Sequence, residues 1–153
     1  MARADSPGVR LIPPVVFCVC LIGGVAAALW TGWYGWSPNL FAAGLVLAFA
    51  GFAFMGWGHR RFTSLGVSVK TMLPASQLVT GGAYRFSRNP MYVGFVAILA
   101  GLAIAARSVP MLAGAAVMFL YLDGYVIPRE ERYLARAFAD AYAAYCRKVR
   151  RWL

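Results

Sequence analysis

Four long apolar stretches, separated by short polar or aromatic breaks, organise the sequence. Residues 11–30 carry no charge, and Pro13 and Pro14 fall where a helix would open, a place that tolerates a missing N–H. Residues 39–57, 90–106 and 109–127 repeat the pattern. A helix needs about 20 such residues to cross a hydrocarbon core. The pattern therefore predicts four transmembrane helices. Only Arg107 and Ser108 separate the last two, which predicts a tight helical hairpin. The first stretch is longer and more aromatic at its exit than a signal peptide, and no clean small-x-small cleavage site follows it.

The polar segments differ in kind. Residues 31–38 hold no charge but include Trp33, Tyr34 and Trp36, the composition of an interfacial aromatic belt. Residues 58–89 form a predicted loop, and loops of that length are usually functional or disordered. Its aromatic and β-branched residues argue against disorder, and its Gly81-Gly82-Ala83-Tyr84 run predicts a tight turn with unusual backbone angles. After residue 127, Pro128 suits the first turn of a new helix over 128–150. There Leu134, Phe138, Ala141, Tyr145 and Val149 recur at helical spacing, with Arg129, Arg132, Arg136, Arg147 and Arg150 on the other face. That is the pattern of a basic amphipathic helix lying on an anionic membrane surface.

Composition supports the membrane reading. Of the 153 residues, 61% are hydrophobic and only 13% are charged, and the formal net charge is +10. The mean hydropathy is +0.65. The basic residues sort by position. Arg3 and Arg10 precede the first stretch; Arg60, Arg61, Lys70, Arg85 and Arg88 follow the second; seven more follow the fourth; Arg107 alone lies opposite. Fourteen of the fifteen thus share one side, which predicts cytoplasmic termini. The positive charge is accounted for as topology signal and anchor rather than as a nucleic-acid surface. Cys18, Cys20 and Cys146 form no disulfide framework, and with His59 as the single histidine no metal site is expected.

Three acids stand out of place. On a helical wheel Glu130 and Glu131 both fall within about 60° of Leu134, flanking the apolar stripe instead of joining the arginines. Acids in a first helical turn favour the helix dipole, which explains their place in the sequence but not their face. Buried carboxylates need donors or cations, from the basic loop before the third stretch or from a ligand. Asp123 lies inside the fourth stretch, near its cytoplasmic end. An ionisable group there is either a functional residue, with a substrate role, or the structural partner of Arg85 or Arg88.

LVTGGAYRFSRNPMYVG (78–94) and EERYLARAFADAYAAYCRKVRRW (130–152) together resemble the isoprenylcysteine carboxyl methyltransferase family of membrane-embedded enzymes, to which the phospholipid N-methyltransferases are related. The family pattern is an LVT-x-G-x-Y turn, then R-H-P-x-Y-x-G, a helical hairpin, E-E-x-x-L, F-x-x-x-Y-x-x-Y and a basic end. The chain follows it across about its last half. The resemblance implies S-adenosylmethionine as methyl donor, held on the cytoplasmic side between the loop and the C-terminal helix. Carried over by position, Gln77, Leu78, Val79 and Tyr84 would line that pocket. Arg88, Asn89, Pro90, Met91 and Tyr92 would hold the cofactor at the mouth of the third helix. Glu130, with Glu131 and Leu134 beside it, would bind from the C-terminal helix. Arg129 is a candidate for the acceptor.

Two positions depart from the family. Asn89 replaces the histidine of R-H-P and cannot carry a proton near neutral pH. Val126 stands where the prenylcysteine enzymes carry a substrate-binding arginine. The expectation is an all-α integral membrane protein whose loop and C-terminal helix form a cofactor pocket. Its expected reaction is methylation of a lipophilic acceptor, most simply an isoprenylcysteine carboxylate. Methylation of a phospholipid amine or a small thiol is the alternative, and a non-catalytic scaffold binding anionic lipid is another. Glycines 94 and 101 leave room for close helix packing or for a lipid chain.

Overall fold

A computed structural model describes residues 8–9, 11–64 and 77–153. Arg3, Arg10, Lys70 and the middle of the predicted loop lie outside the described residues. The described chain is helical, with no strand among those residues. Its elements are α1 (Pro13–Thr31), α2 (Pro38–Ser64), a 3-10 turn (Gly82–Arg85), α3 (Pro90–Ala105), α4 (Val109–Tyr121), a π-helical turn (Leu122–Val126) and α5 (Ile127–Lys148).

Small residues bring the helices together. Buried Gly44, Gly51 and Gly58 recur every seven residues along α2 and face α3. A Cβ on Gly101 would stand 2.5 Å from the Gly44 carbonyl oxygen, and one on Gly94 would stand 2.5 Å from the Met55 Cβ. Backbones this close exclude a lipid chain, so these glycines serve packing. Gly24 and Gly114 do the same between α1 and α4, where a Cβ on Gly114 would meet the Cys20 carbonyl at 2.8 Å. α3 lies in the middle, touching α2 through its glycines and α1 through the Phe17–Phe95 ring contact. Its apolar character all round is that of a buried helix. Val19, Ile22 and Leu29 of α1, Val46, Phe49 and Phe52 of α2, and Val117 and Leu120 of α4 point outward as an apolar girdle.

The predicted hairpin is present. α3 ends in two paired bonds, Ser108 N to Ala103 O and Arg107 N to Ile104 O, with Arg107 in the left-handed region at φ 47°. The Ser108 hydroxyl then caps α4 by accepting from Met111 N at 3.4 Å. The uncharged α1–α2 link lies beside this turn, since Gly35 N donates to Ala106 O at 2.9 Å. Arg107 and the aromatic link therefore share one end of the bundle.

Three boundaries differ from expectation. α2 runs on to Ser64, so the predicted loop does not open at Gly58: that glycine is a packing residue against Pro90, not a breaker. Pro128 lies in the first turn of α5, as expected, but that helix continues from α4 without a break. It lacks the N–H that a continuous α-helix would give to the residue 124 carbonyl, and the π turn accommodates it, with Ile127 N donating to Leu122 O. The chain is thus one helical run from 109 to 148. Three helices, α1, α2 and this long run, are long and apolar enough to cross a membrane, while α3, with 16 residues, is shorter. The third difference is in α5, which is no single amphipathic rod. Ala139 has φ 38° and ψ −113°, which breaks the helix there. Of the expected stripe, Tyr145 is buried and Leu134, Phe138 and Val149 are half-buried, while Ala141 is exposed and Tyr133 and Tyr142 are buried outside it.

Candidate functional site

The site is built at the end of the bundle away from Arg107. Gly82, with φ 64°, turns the chain into the 3-10 turn, as the glycine pair predicts. Arg61 of α2 lies against this turn, its Nη2 3.0 Å from where a Gly81 Cβ would stand. Val79 and Tyr84 are buried together, packed by Phe62 of α2 and Met91 of α3. The Tyr84 carbonyl accepts from the Tyr145 hydroxyl at 2.7 Å, which ties the turn to the far half of α5. Burial, reinforced by the Glu130 and Tyr145 side chains, raises the Tyr84 phenol.

The acids of α5 face the start of α3. The Tyr92 hydroxyl donates to Glu130 Oε1 at 2.7 Å. Burial pushes the Glu130 carboxyl up to about 7, the Tyr92 bond opposes the rise, and the negative Glu131 adds to it. Glu131 instead sits between two guanidinium groups. Arg88 Nη2 reaches its Oε1 at 2.8 Å and Arg151 Nη2 reaches its Oε2 at 2.6 Å. Arg88 Nε is buried with no hydrogen-bond partner, the one such side-chain atom among the described residues.

The last residues close over this site. Arg88 N donates to Arg150 O at 2.9 Å. The Ser87 hydroxyl and the Asn89 amide both donate to Arg151 O, at 3.2 and 3.0 Å. Arg151 Nη1 meets Asp123 at 3.2 Å, and Trp152 Nε1 donates to the same oxygen at 3.0 Å.

Most of the anticipated residues therefore converge. Val79, Tyr84, Arg88, Asn89, Pro90, Met91 and Tyr92 form the wall before and at the start of α3, and Glu130 and Glu131 meet it from α5. Leu78 and Leu134 are half-buried at its margin, and Gln77 is exposed. Two substrate candidates point elsewhere. Arg129 folds back on its own helix, donating to Tyr125 O at 2.8 Å and lying 3.7 Å over the Tyr125 ring. Asp123 pairs with Arg151 and Trp152, not with Arg85 or Arg88. The break at Ala139 brings these distant residues back to Asp123. Sequence reasoning missed Ser87, Arg151 and Trp152 as site residues. In the sequence Arg151 is one more charge of the basic end, and the sole hint of its role is the arginine–tryptophan pair after the helix. A hollow of about 250 Å³ lies at the opposite end, lined by Gly32–Gly35, Arg107 and Val109, and is remote from these residues.

Comparison with known proteins adds the family. An uncharacterized protein of Haemophilus influenzae is 45% identical over 40 residues, which cover 26% of this chain and 64% of that protein. The chain thus spans less than two thirds of the length of this relative. No solved structure matches the chain. The family model for phospholipid methyltransferase matches residues 39–141, more than half of the chain, from α2 through the paired acids and the kink in α5. With the glycine turn, the α3 entrance and the two acids on one site within that match, the chain belongs to the phospholipid methyltransferase family.

Proposed function

We propose that this protein is a membrane-embedded methyltransferase that uses S-adenosylmethionine to methylate a lipophilic acceptor. The observation that carries the reading is the pairing of two unmet needs at the α3 entrance. Glu130 is a buried carboxylate with one donor, Tyr92, and no cation, and Arg88 Nε is a buried donor without an acceptor. A ligand carrying both an ammonium and a carboxylate answers both, so the residues present fit the amino-acid end of the cofactor. Val79, Tyr84 and Met91 offer an apolar wall for its flat base. When bound, S-adenosylmethionine supplies an electrophilic sulfonium methyl group. The work left to the chain is alignment and exclusion of water, each worth several kcal/mol of barrier on the order of magnitude known for such effects. Tyr92 orients Glu130, Glu131 holds Arg88, and the carbonyls of residues 150 and 151 hold the segment before α3.

The acceptor enters from the bilayer in this reading. A carboxylate, such as that of an isoprenylcysteine, needs no general base. A phospholipid amine must first lose a proton, and two observations favour it as a second reading. The matching family is described as phospholipid methyltransferase. Val126, in the place of the prenylcysteine-binding arginine, is fully buried and apolar. Asn89 serves neither acceptor as a base, because its amide is spent on the Arg151 carbonyl. We also read the chain as four membrane crossings, with α3 carried between its neighbours and both termini cytoplasmic. Supporting this, Arg61, Arg88 and Arg151 lie at the site end and Arg107 at the other.

Calorimetry of the purified protein with S-adenosylhomocysteine tests the reading. Binding by the wild type and by Arg147→Ala, with loss in Glu130→Ala, is expected. No heat from the wild type would leave the non-catalytic, lipid-binding alternative standing. Labelled methyl transfer to prenylcysteine, phosphatidylethanolamine and thiols then identifies the acceptor.

A further inference from the structure

Residues 149–153 follow α5 and lie beyond the family match, which ends at 141. Yet they hold the site from two sides. Their backbone carbonyls take donors from Ser87, Arg88 and Asn89, and their side chains reach Glu131 and Asp123. Trp152 fixes the register of this segment, with its ring centroid 4.9 Å from that of Phe119 and its N–H on Asp123.

The consequence lies in how Glu131 is shared. A carboxylate and a guanidinium left to themselves favour the two-bond fork, in which both oxygens meet two nitrogens of one arginine. Arg88 and Glu131 do not form it. Only Nη2 of Arg88 is engaged, at 2.8 Å, and its Nε stays buried and unpartnered. The second oxygen of Glu131 is drawn off by Arg151 Nη2 at 2.6 Å, and Arg151 Nε also reaches Oε1 at 3.3 Å. Arg151 is itself anchored by Asp123 through Nη1. It therefore holds Glu131 in an orientation that leaves one Arg88 donor open.

We propose that Arg151 is a positioning residue: by holding Glu131 off the two-bond fork, it keeps Arg88 Nε free to receive the carboxylate of the bound ligand. The proposal rests on the cofactor reading given above. Without Arg151, Glu131 turns onto both nitrogens of Arg88 and consumes the donor. The loss falls on the ligand's carboxylate and not on its base, ribose or amine.

The test compares S-adenosylhomocysteine with its decarboxylated analogue, titrated into wild type, Arg151→Ala and Arg151→Lys in detergent. The wild type is expected to prefer the carboxylate-bearing ligand. In Arg151→Ala that preference should shrink by about tenfold, the range for a charge-assisted hydrogen bond, while affinity for the analogue stays within about twofold. Arg151→Lys keeps a cation for the outer oxygen of Glu131 and should recover much of the preference. If Arg151→Ala does not yield folded protein, Arg151→Gln, which keeps a neutral donor, is read in the same way. Equal weakening of both ligands assigns Arg151 a purely structural role and overturns the proposal. So does an unchanged preference in a folded variant. A wild type that binds neither ligand overturns the cofactor reading itself. A wild type that binds both equally overturns only the role given to Arg88 and Arg151.

Discussion

Arg151 Nη2 lies 2.6 Å from Glu131 Oε2, although twenty residues separate them in the chain. A straight helix of that length would hold them about 30 Å apart. The chain reverses at Ala139, whose φ of 38° belongs to a region that side chains with a Cβ rarely occupy. Tyr145 then bonds the Tyr84 carbonyl, and Arg150 and Arg151 close on the segment before α3. The site is therefore assembled by a fold-back of the C-terminal helix, and the fold-back depends on one strained residue.

Relieving that strain should stabilise the protein. Ala139→Gly removes the Cβ at a positive φ, and a gain of about 1 kcal/mol is expected. The same change at exposed Ala135, inside regular helix, should cost about 1 kcal/mol. Thermal unfolding in detergent compares the two variants with the wild type. Equal losses at both positions would mean that α5 continues unbroken through 139.

Glu130 makes stability depend on pH. Its carboxyl titrates at about 7 in the folded protein, raised from an ordinary 4.5 chiefly by burial. Between those values the folded chain holds a proton that the unfolded chain has released. Stability from this group is therefore complete below pH 4.5 and is lost as pH rises through about 7. Glu130→Gln keeps the shape and an oxygen acceptor for Tyr92 but removes the titration. The variant should melt higher than the wild type at pH 8 and close to it at pH 5. A constant offset at both pH values would place the dependence on another group.

Much of this arrangement was legible in the residues. The charge-free runs predicted the helices, the glycine pair predicted the turn at 82, and the wheel position of Glu130 and Glu131 predicted that they face inward. Periodicity misled at one junction and at one alanine. Pro13 and Pro14 open a helix and Pro128 lies in the first turn of α5, as expected, but a π turn with Leu122 and Val126 in the core joins α5 to α4. Nothing in the local sequence marks Ala139 as a break. An alanine inside a helical pattern favours helix, and tertiary contacts of Tyr145 and Trp152 override it. The Arg151–Glu131 bond was invisible for that reason. Beside the α3 glycines, those of α2 carry a further signal: positions 44, 51 and 58 repeat every seven residues, the spacing of one helix face.

Those glycines give a sharp test of the bundle. In Gly101→Ala the new Cβ would stand 2.5 Å from Gly44 O and 2.6 Å from Ala48 N, both backbone atoms. The helices must separate, which should cost about 1–3 kcal/mol. Gly23→Ala, with nothing within 4 Å, should be neutral or gain up to about 1 kcal/mol in helix propensity. Melting temperatures of the two variants check the contrast, and a Gly101→Ala protein as stable as the wild type would contradict the α2–α3 contact.

Tyr92 should set the pH at which the cofactor binds. In the proposed function the ionised Glu130 receives the ligand's cation, so affinity for S-adenosylhomocysteine should fall as pH drops through about 7. The Tyr92 hydroxyl, 2.7 Å from Glu130 Oε1, favours the ionised carboxylate. Tyr92→Phe removes that donor and leaves burial unopposed. The midpoint of the binding profile should move to higher pH, and affinity at pH 7 should drop. At pH 9, well above the midpoint, the variant should regain much of its affinity, because Glu130 is ionised there even without the phenol. Isothermal titration from pH 5 to 9 measures both curves. A uniform loss at every pH would show that Tyr92 acts by filling space and not through the charge of Glu130.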